Sequence, residues 1–153
     1  MQFKNEILSQ ERFLYMRKIG PYGPENYKLM HDFKAWAKGA GFLREHSVIL
    51  GIAQDNPKTA PPEACRYDVG ILVDNAQRGS YNHGGVIEGQ SPHGKYAVVE
   101  VDHTPEAVEK AWSQAFACLD TENYSLDYSR PILERYDSEK IDQGKCELCF
   151  PVL

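Results

Sequence analysis

The apolar positions of the chain follow two periods, and the same succession of periods occurs twice. Strand-like runs, rich in branched and aromatic residues, fall at residues 12–19, 47–53, 66–73, 95–101, 131–136 and 145–152. Helical spacing of apolar residues passes through Trp36 after the first run and through Trp112 after the fourth. Corresponding positions lie about eighty residues apart, which indicates an internal repeat. The pattern therefore predicts two strand–helix–strand–strand units.

Both predicted helices are bounded by residue types that suit helix ends. Pro24 fits the first turn of the first helix, and Gly41 follows its last apolar position. Thr104 is the predicted N-cap of the second helix, with Pro105 at its first position. The apolar face predicted for that helix consists of Val108, Ala111, Trp112, Ala115, Phe116 and Leu119.

Two βαββ units predict an α+β fold, a tandem repeat of two pseudo-twofold halves with an antiparallel sheet, two main helices and a central groove. Neither half is large enough to bury a good core alone, so residues 1–153 are predicted to form one domain. The halves correspond approximately to residues 1–78 and 92–153, joined by a connector at 79–91 that is rich in glycine and polar residues. The proline-rich segment 55–63 is predicted to be a long hairpin loop.

Charge and hydropathy exclude several classes of partner. The net charge of −5 argues against direct nucleic-acid binding, which needs a basic surface. No apolar run approaches the ~20 residues of a membrane span, and the N-terminus is too charged for a signal peptide. We therefore expect a cytoplasmic protein with no membrane or nucleic-acid partner. The chain also has no phosphate-binding glycine loop, and we assign no cofactor.

The cysteine pattern raises a metal or redox hypothesis that strand geometry opposes. Cys146 and Cys149 form a C-x-x-C sequence inside an apolar strand-like run, not at the start of a helix. Residues three apart in a strand point to opposite faces, so the two sulfurs are not expected to share one metal ion. We expect no metal site, and thiols that are buried and reduced.

Two glutamates in apolar strand-like runs are the leading candidates for chemistry. Glu134 lies between Leu133 and Arg135, and Glu147 between Cys146 and Leu148. Burying an isolated carboxylate is costly, so each either lines a cleft or pairs with a partner, unless its strand simply has one solvated face. Both readings remain open from the pattern. Our expectation is that both carboxylates face the groove between the halves.

The aromatic content suggests what such a groove would hold. The chain has nine tyrosines, six phenylalanines and two tryptophans. Aromatic walls around a carboxylate suit a flat or cationic organic molecule. The candidate ligand-binding aromatics are Trp112, Tyr96, Tyr67 and Tyr15, of which Tyr15 and Tyr96 occupy equivalent places in the two units. The alternative is that these rings belong to the hydrophobic core.

A family resemblance rests on short segments in a fixed order. They are residues 20–22 (GPY), 55–57 (DNP), 61–68 (PPEACRYD), 84–87 (GGVI), 94–98 (GKYAV), 131–136 (PILERY) and 147–152 (ELCFPV). In order and spacing they resemble the GyrI-like small-molecule-binding family, most closely its free-standing members, described as DNA gyrase inhibitory proteins. The resemblance runs nearly end to end and implies a tandem βαββ fold with a central groove.

The resemblance also implies which residues line the pocket. In the family, acidic residues of the two strand motifs line it, which points to Glu134 and Glu147. An aromatic residue commonly follows two positions after the last glutamate, and Cys149 stands there in this chain. No helix-turn-helix segment is present in the sequence, so a direct role as a transcription factor is not expected.

Three functions are compatible with the resemblance. The first is a cytoplasmic protein that binds aromatic or cationic drugs or toxins, and that either protects against them by sequestration or modulates DNA gyrase as a partner, as the free-standing relatives are described to do. The second is a hydrolase that opens the cyclopropane of DNA-alkylating natural products, with Glu134 or Glu147 orienting the attacking water. The third is an effector-sensing subunit that works with a separate transcription regulator. A chemical change in the ligand would separate the second function from the first.

Overall fold

A computed structural model describes residues 1–74 and 84–153. The elements in chain order are β1 (Phe3–Leu8), β2 (Arg12–Ile19), α1 (Pro24–Gly39), β3 (Val48–Ala53), β4 (Arg66–Val73), β5 (Ile87–Gln90), β6 (Gly94–Asp102), α2 (Pro105–Thr121), β7 (Ile132–Asp137), α3 (Ser138–Asp142) and β8 (Lys145–Pro151). The strand-like runs of the sequence match β2, β3, β4, β6, β7 and β8 to within one residue at each end. The predicted α+β class is confirmed.

One antiparallel sheet contains all eight strands of the described residues, in the order β1-β6-β8-β7-β3-β4-β2-β5. The succession strand–helix–strand–strand occurs as β2-α1-β3-β4 and again as β6-α2-β7-β8. The two successions meet where β3 pairs with β7 at the centre of the sheet. These central strands therefore join the two parts of the chain into one continuous sheet.

The two edge strands were not predicted as strands, and each lies far from its chain neighbour. β1 pairs with β6, while β2, the next strand in the chain, lies near the opposite edge. In the same way β5 pairs with β2 and then leads into β6. The two links meet, because the Ser91 amide donates to the Glu11 carbonyl at 2.7 Å and the Glu11 amide donates to the Ser91 hydroxyl at 2.9 Å. β5 lies within the predicted connector, whose residues 79–83 fall outside the described residues.

The helices begin as predicted, but one predicted face residue is misplaced. The Thr104 hydroxyl accepts a hydrogen bond from the Ala107 amide at 3.2 Å, which confirms the N-cap of α2. Gly41, with φ of 80°, follows the end of α1 in the left-handed conformation that suits glycine. Phe116 was predicted to lie on the apolar face of α2, yet it is 47% exposed and only its edge meets Phe150. The prediction for Phe116 is wrong because fewer positions of α2 are buried than are apolar: Ala111, Ala115 and Leu119 are buried, and Phe116 is not.

Both faces of the sheet are apolar, and they differ in what covers them. On the helix face, defined as the side on which α1 and α2 pack, Phe33 and Ala37 of α1 contact strands β2 to β4. Ala111 and Ala115 of α2 contact β6 and β8 on the same side. On the far face, the opposite side, a separate cluster is buried, and neither α1 nor α2 packs on it. Its buried members are Phe13, Leu50, Ile52, Tyr96, Val98, Leu133 and Cys149.

The loop predicted at 55–63 joins β3 to β4, as expected of a hairpin. Hydrogen bonds of Asp55 join the two ends of this loop. The Asp55 carboxylate accepts from the Arg66 amide at 2.8 Å and from the Arg66 guanidinium at 2.9 Å. The Tyr22 hydroxyl donates to the Arg66 carbonyl at 2.8 Å from the start of α1. None of the helices in the described ranges is long and apolar enough to cross a membrane.

Gly70 tests the packing of the far face. A Cβ atom there would lie 2.4 Å from the ring of Phe13 and 2.5 Å from the Leu14 carbonyl oxygen, and that backbone oxygen cannot move aside cheaply. We expect Gly70→Ala to lower the free energy of unfolding by about 1–3 kcal/mol, as overpacked cores do. Chemical denaturation measures this change. Gly39→Ala is the matched control, because a Cβ at Gly39 meets nothing within 4 Å and should leave stability equal or slightly higher. Equal stability of both variants would contradict the tight packing of Phe13 on β4.

Candidate functional site

The carboxylate of Glu134 occupies the centre of the sheet on the helix face. It lies on β7, opposite Gly51 of β3 and opposite Leu148 of β8. Helix α1 packs over β2 and β4, and α2 packs over β6. The helix side of β3 and β7 therefore lies between the two helices. We call this strip, with Glu134 at its floor, the groove.

Two tyrosine hydroxyls hold the Glu134 carboxylate. The Tyr67 hydroxyl donates to Oε1 at 3.1 Å, and the Tyr136 hydroxyl donates to Oε2 at 2.7 Å. Gly51 makes room for this arrangement, because a Cβ there would lie 2.5 Å from the Tyr67 hydroxyl oxygen and 3.4 Å from Glu134 Oε1. The site is thus built from three adjacent strands, β4, β3 and β7.

The electrostatics of this cluster leave the carboxylate without a countercharge. Burial raises the pKa of Glu134, and the hydrogen bonds from Tyr136 and Tyr67 oppose that rise. Burial, followed by the charge of Glu134, raises the pKa of both tyrosines, so each stays a neutral donor. Within residues 1–74 and 84–153, no lysine, arginine or histidine forms an ion pair with Glu134.

Further aromatic rings lie on the helix face, on the α1 side and on the α2 side of the sheet. Just before α1, the Tyr22 ring meets the Tyr67 ring edge-on at 6.3 Å between centroids, and Tyr27 on α1 is 73% exposed. On the α2 side, Trp112 packs edge-on against Phe150 at 5.7 Å. Trp112 and Tyr67, both predicted from sequence, therefore lie on the same face as Glu134.

Two basic side chains lie at one end of the groove. Lys34 Nζ of α1 lies 5.9 Å from the centre of the Tyr136 ring. The imidazole of His103, just before α2, lies 5.6 Å from the same ring centre. Burial, and then the positive charge of Lys34, lowers the pKa of His103. The Tyr136 ring thus has a carboxylate at its hydroxyl end and basic groups beside its body.

Glu147 does not share the groove, and the prediction that both carboxylates face it is wrong. Glu147 pairs with Arg135 across β8 and β7, one position out of step with Glu134, so strand alternation sends it to the far face. It is 2% exposed, and its Oε1 accepts a hydrogen bond from Arg135 Nε at 2.9 Å. The same guanidinium donates to Glu6 of β1 at 2.5 Å. Glu147 is therefore a buried ion-pair partner on the opposite side.

Three further candidates also lie on the far face. Tyr96 is fully buried, its hydroxyl donates to the Pro131 carbonyl at 3.0 Å, and the Arg130 guanidinium lies 5.0 Å from its ring centre. Tyr15 stacks on Phe13 at 5.3 Å between centroids. Cys149 is buried in the same cluster. The structure does not bring Tyr96, Tyr15 or Cys149 to Glu134.

The two thiols of the C-x-x-C sequence are separated by the sheet, as strand alternation predicts. Cys149 belongs to the far-face cluster, whereas Glu134 on the helix face helps to raise the pKa of Cys146. Burial is the main cause for both, raising the pKa of Cys146 to about 11 and that of Cys149 to about 12. In the described ranges, no group of three or more His, Cys, Asp or Glu side chains is placed to hold a metal ion.

The far face offers a competing location for a ligand, but its charges are already paired. A cavity of about 300 Å³ there is lined by Tyr15, Arg17 and Asp68, among others. Arg17 donates to Asp68 at 2.7 and 2.9 Å, and Gln54 donates to the same carboxylate at 3.0 Å. The charges of Arg17 and Asp68 therefore neutralise each other, in contrast to Glu134, which has no cationic partner among the described residues. The chemistry therefore favours the groove.

Sequence reasoning missed Tyr136, Gly51 and Lys34. Tyr136 stands two residues after Glu134 in one strand, so alternation alone places both on one face. Gly51 occupies the repeat position equivalent to Glu134, which would have placed the two side by side at the centre. No sequence pattern marked Lys34 as a site residue, because a lysine on a helix is ordinarily solvated.

Comparisons with known proteins agree with this architecture. The chain matches the GyrI-like small molecule binding domain over residues 1–153. It is 40% identical over 157 residues to the SPbeta prophage-derived protein YosT of Bacillus subtilis (strain 168), which is named as a candidate transcriptional regulator. That alignment covers 99% of each chain.

Solved structures share the fold at low identity. The C-terminal domain of EcmrR has a TM-score of 0.73 at 15% identity, with 99% of this chain and 97% of that chain covered. The EcmrR chain in the EcmrR–DNA complex has a TM-score of 0.72 at 15% identity. That alignment covers 99% of this chain and 57% of the longer EcmrR chain. SAV2435 bound to tetraphenylphosphonium has a TM-score of 0.67 at 16% identity. The alignment covers 100% of this chain and 94% of SAV2435. These likenesses show the fold alone.

A match over the whole chain and a 40% identical relative aligned from end to end give one conclusion. The protein belongs to the GyrI-like small molecule binding domain family.

Proposed function

We propose that this protein binds aromatic organic cations in the groove, with the Glu134 carboxylate as the group that recognises positive charge. The observation that carries the proposal is the carboxylate held by two neutral hydroxyls, at 3.1 and 2.7 Å, without a cation from the described residues. A ligand would supply the missing charge.

The energetic argument rests on desolvation. A carboxylate taken out of water loses hydration that two hydroxyl hydrogen bonds replace only in part. The raised pKa of Glu134 reflects that loss. A cation placed beside it would recover Coulomb energy in a medium that screens charge less than water does. A neutral ligand of the same shape would gain area burial alone.

The aromatic surroundings suit the rest of such a ligand. Tyr67 is buried in the cluster under α1, whereas Tyr136 is partly buried and leaves part of its ring as apolar surface beside Glu134. Tyr27 and Trp112 provide further aromatic surface on the two helices. Ring faces attract cations through their quadrupole as well as by area burial. SAV2435, solved with the aromatic cation tetraphenylphosphonium, supports this ligand class through its shared fold.

A second candidate function is effector sensing in transcription, favoured by the 40% identity to YosT over nearly its whole length. In that role the same groove would bind the ligand, and a partner regulator would respond to it. Protection against toxins by sequestration, with or without DNA gyrase as a partner, uses the same groove. Copurification with gyrase or with a regulator, measured with and without ligand, distinguishes these roles.

Glu134→Gln tests the charge-reading role, because it keeps side-chain volume and removes the charge. We expect the affinity for tetraphenylphosphonium to fall about tenfold to hundredfold, the effect of losing about 1.5–3 kcal/mol of charged interaction. Neutral triphenylphosphine oxide should change by much less. Titration calorimetry measures both ligands, and Glu122→Gln on the exposed end of α2 is the matched control.

Equal losses for the two ligands would mean that Glu134 shapes the groove without recognising charge. Absence of binding by the unaltered protein would contradict the proposal itself. Mass analysis of the recovered ligand adds a further arm, since a changed mass would indicate hydrolysis in place of simple binding.

The pH dependence of binding follows from the raised pKa of Glu134. The ionised carboxylate attracts the cation, and a bound cation lowers the pKa of that carboxyl. Affinity for tetraphenylphosphonium should therefore rise with pH until Glu134 is ionised in the free protein, with a proton released on binding below that point. Calorimetry in buffers of different ionisation enthalpy measures this proton release.

Glu134→Gln should abolish most of this dependence. His103 is the other group at the groove whose charge changes in the acidic range, so the titration is repeated with His103→Gln. Tyr67 and Tyr136 have raised pKa values and stay protonated throughout. An unchanged pH profile in Glu134→Gln would contradict the assignment.

A further inference from the structure

We propose that the preferred ligands of the groove are zwitterions, with a cationic aromatic part at Glu134 and an anionic group at Lys34 and His103. This inference rests on the proposed function and specifies the ligand class of the same site.

Tyr136 connects the two ends of the site. Its hydroxyl donates to Glu134 at 2.7 Å, while Lys34 Nζ and the His103 ring lie 5.9 and 5.6 Å from its ring centre. The negative group thus lies at the tip of the tyrosine and the basic groups lie beside its body. This spacing lets one organic molecule reach both.

Lys34 differs from several other lysines of the structure because no carboxylate of the described residues pairs with it. Lys28 pairs with Asp32 at 2.9 Å on the same helix. Lys140 pairs with Glu100 at 2.7 Å, and Lys145 pairs with Asp102. Lys34 instead lies over a tyrosine ring at the end of a groove, where an anionic group could approach it.

The charged groups at the two ends are not paired with each other. No cation, Lys34 included, is among the described groups that shift the pKa of Glu134. The positive charge of Lys34 reaches His103 and helps to lower its pKa, which places both basic groups at the same end. Within the described residues, neither Lys34 nor His103 forms an ion pair with Glu134.

A ligand with a single charge is favoured at one end and disfavoured at the other. A cation gains from Glu134 but meets Lys34 as a like charge, and an anion meets the reverse. A zwitterion of the right length gains at both ends. Specificity here comes as much from the repelled charge as from the attracted one.

The test uses two dyes that differ only in the anionic group. Rhodamine B carries a cationic xanthene and a free carboxylate, whereas its ethyl ester carries the same cation without the anion. Fluorescence anisotropy measures the affinity of each dye for the unaltered protein and for Lys34→Glu, Lys34→Gln and Glu134→Gln. Lys28→Gln is the matched control, because it removes a lysine charge from the solvent side of the same helix.

We expect Lys34→Glu to weaken rhodamine B and to strengthen its ester, each by about twofold to fivefold, the range of a partly exposed charge pair. Lys34→Gln should change the two dyes in the same opposite directions by less than Lys34→Glu does, and Lys28→Gln should change neither dye. The effects should shrink at high salt. Opposite changes for two dyes in one variant cannot arise from a folding defect.

Two results would overturn the proposal, and they differ in reach. If both dyes bind and Glu134→Gln weakens both, but Lys34→Glu changes them equally or not at all, the zwitterion inference is wrong and the cation site stands. If neither dye binds the unaltered protein, the proposed function fails together with the inference.

Discussion

The pairing of β3 with β7 is the constraint on which the site depends. It joins the two strand–helix–strand–strand parts and sets Gly51 directly opposite Glu134. Strand alternation then places Glu134 and Tyr136 on the helix face and sends Arg135 to the far face. A slip of one residue in this register would reverse every side chain of β7. The missing side chain at Gly51 leaves the space into which the Tyr67 hydroxyl reaches.

The two faces of the sheet treat buried charge differently. On the far face, Arg135 lies between Glu147 and Glu6, so each carboxylate meets a guanidinium. The Glu6 contact also connects the edge strand β1 to β7 at the centre of the sheet. On the helix face, Glu134 has only neutral donors among the described residues. A fold that pairs its other buried carboxylates leaves unpaired the one that faces the groove.

Periodicity was sufficient to predict the elements that pack against the helices. It failed for β1 and β5, because a short edge strand with exposed charges, such as FKNEIL, lacks a clean alternation. Their partners also lie far away in the chain, and no local signal encodes such a pairing. The N-cap at Thr104 could be predicted from the sequence because capping depends on adjacent residues alone.

Only part of the site could be predicted from the sequence, and the reason is related. Because Tyr15 and Tyr96 occupy equivalent positions in the repeat, they were predicted to lie together. Both do lie on one face of the sheet, but it is the far face and not the face that carries Glu134. Glu134 and Glu147 both lie in strand-like runs rich in apolar residues, so composition did not assign them to opposite faces. The choice between faces depends on which residues of β7 and β8 stand opposite one another. That register is set by the whole sheet.

The stability of the protein and its ligand chemistry are linked through Glu134. Its pKa is raised in the folded state, so its contribution to stability is fully present below the ordinary carboxyl pKa. That contribution is lost as pH rises through the raised value, because the folded protein must then hold an unpaired charge. A bound cation reverses this loss by favouring the ionised form. Ligand stabilisation should therefore be largest in the pH range where the empty groove is least favourable, which makes the protein responsive to the ligand through the same carboxylate that binds it.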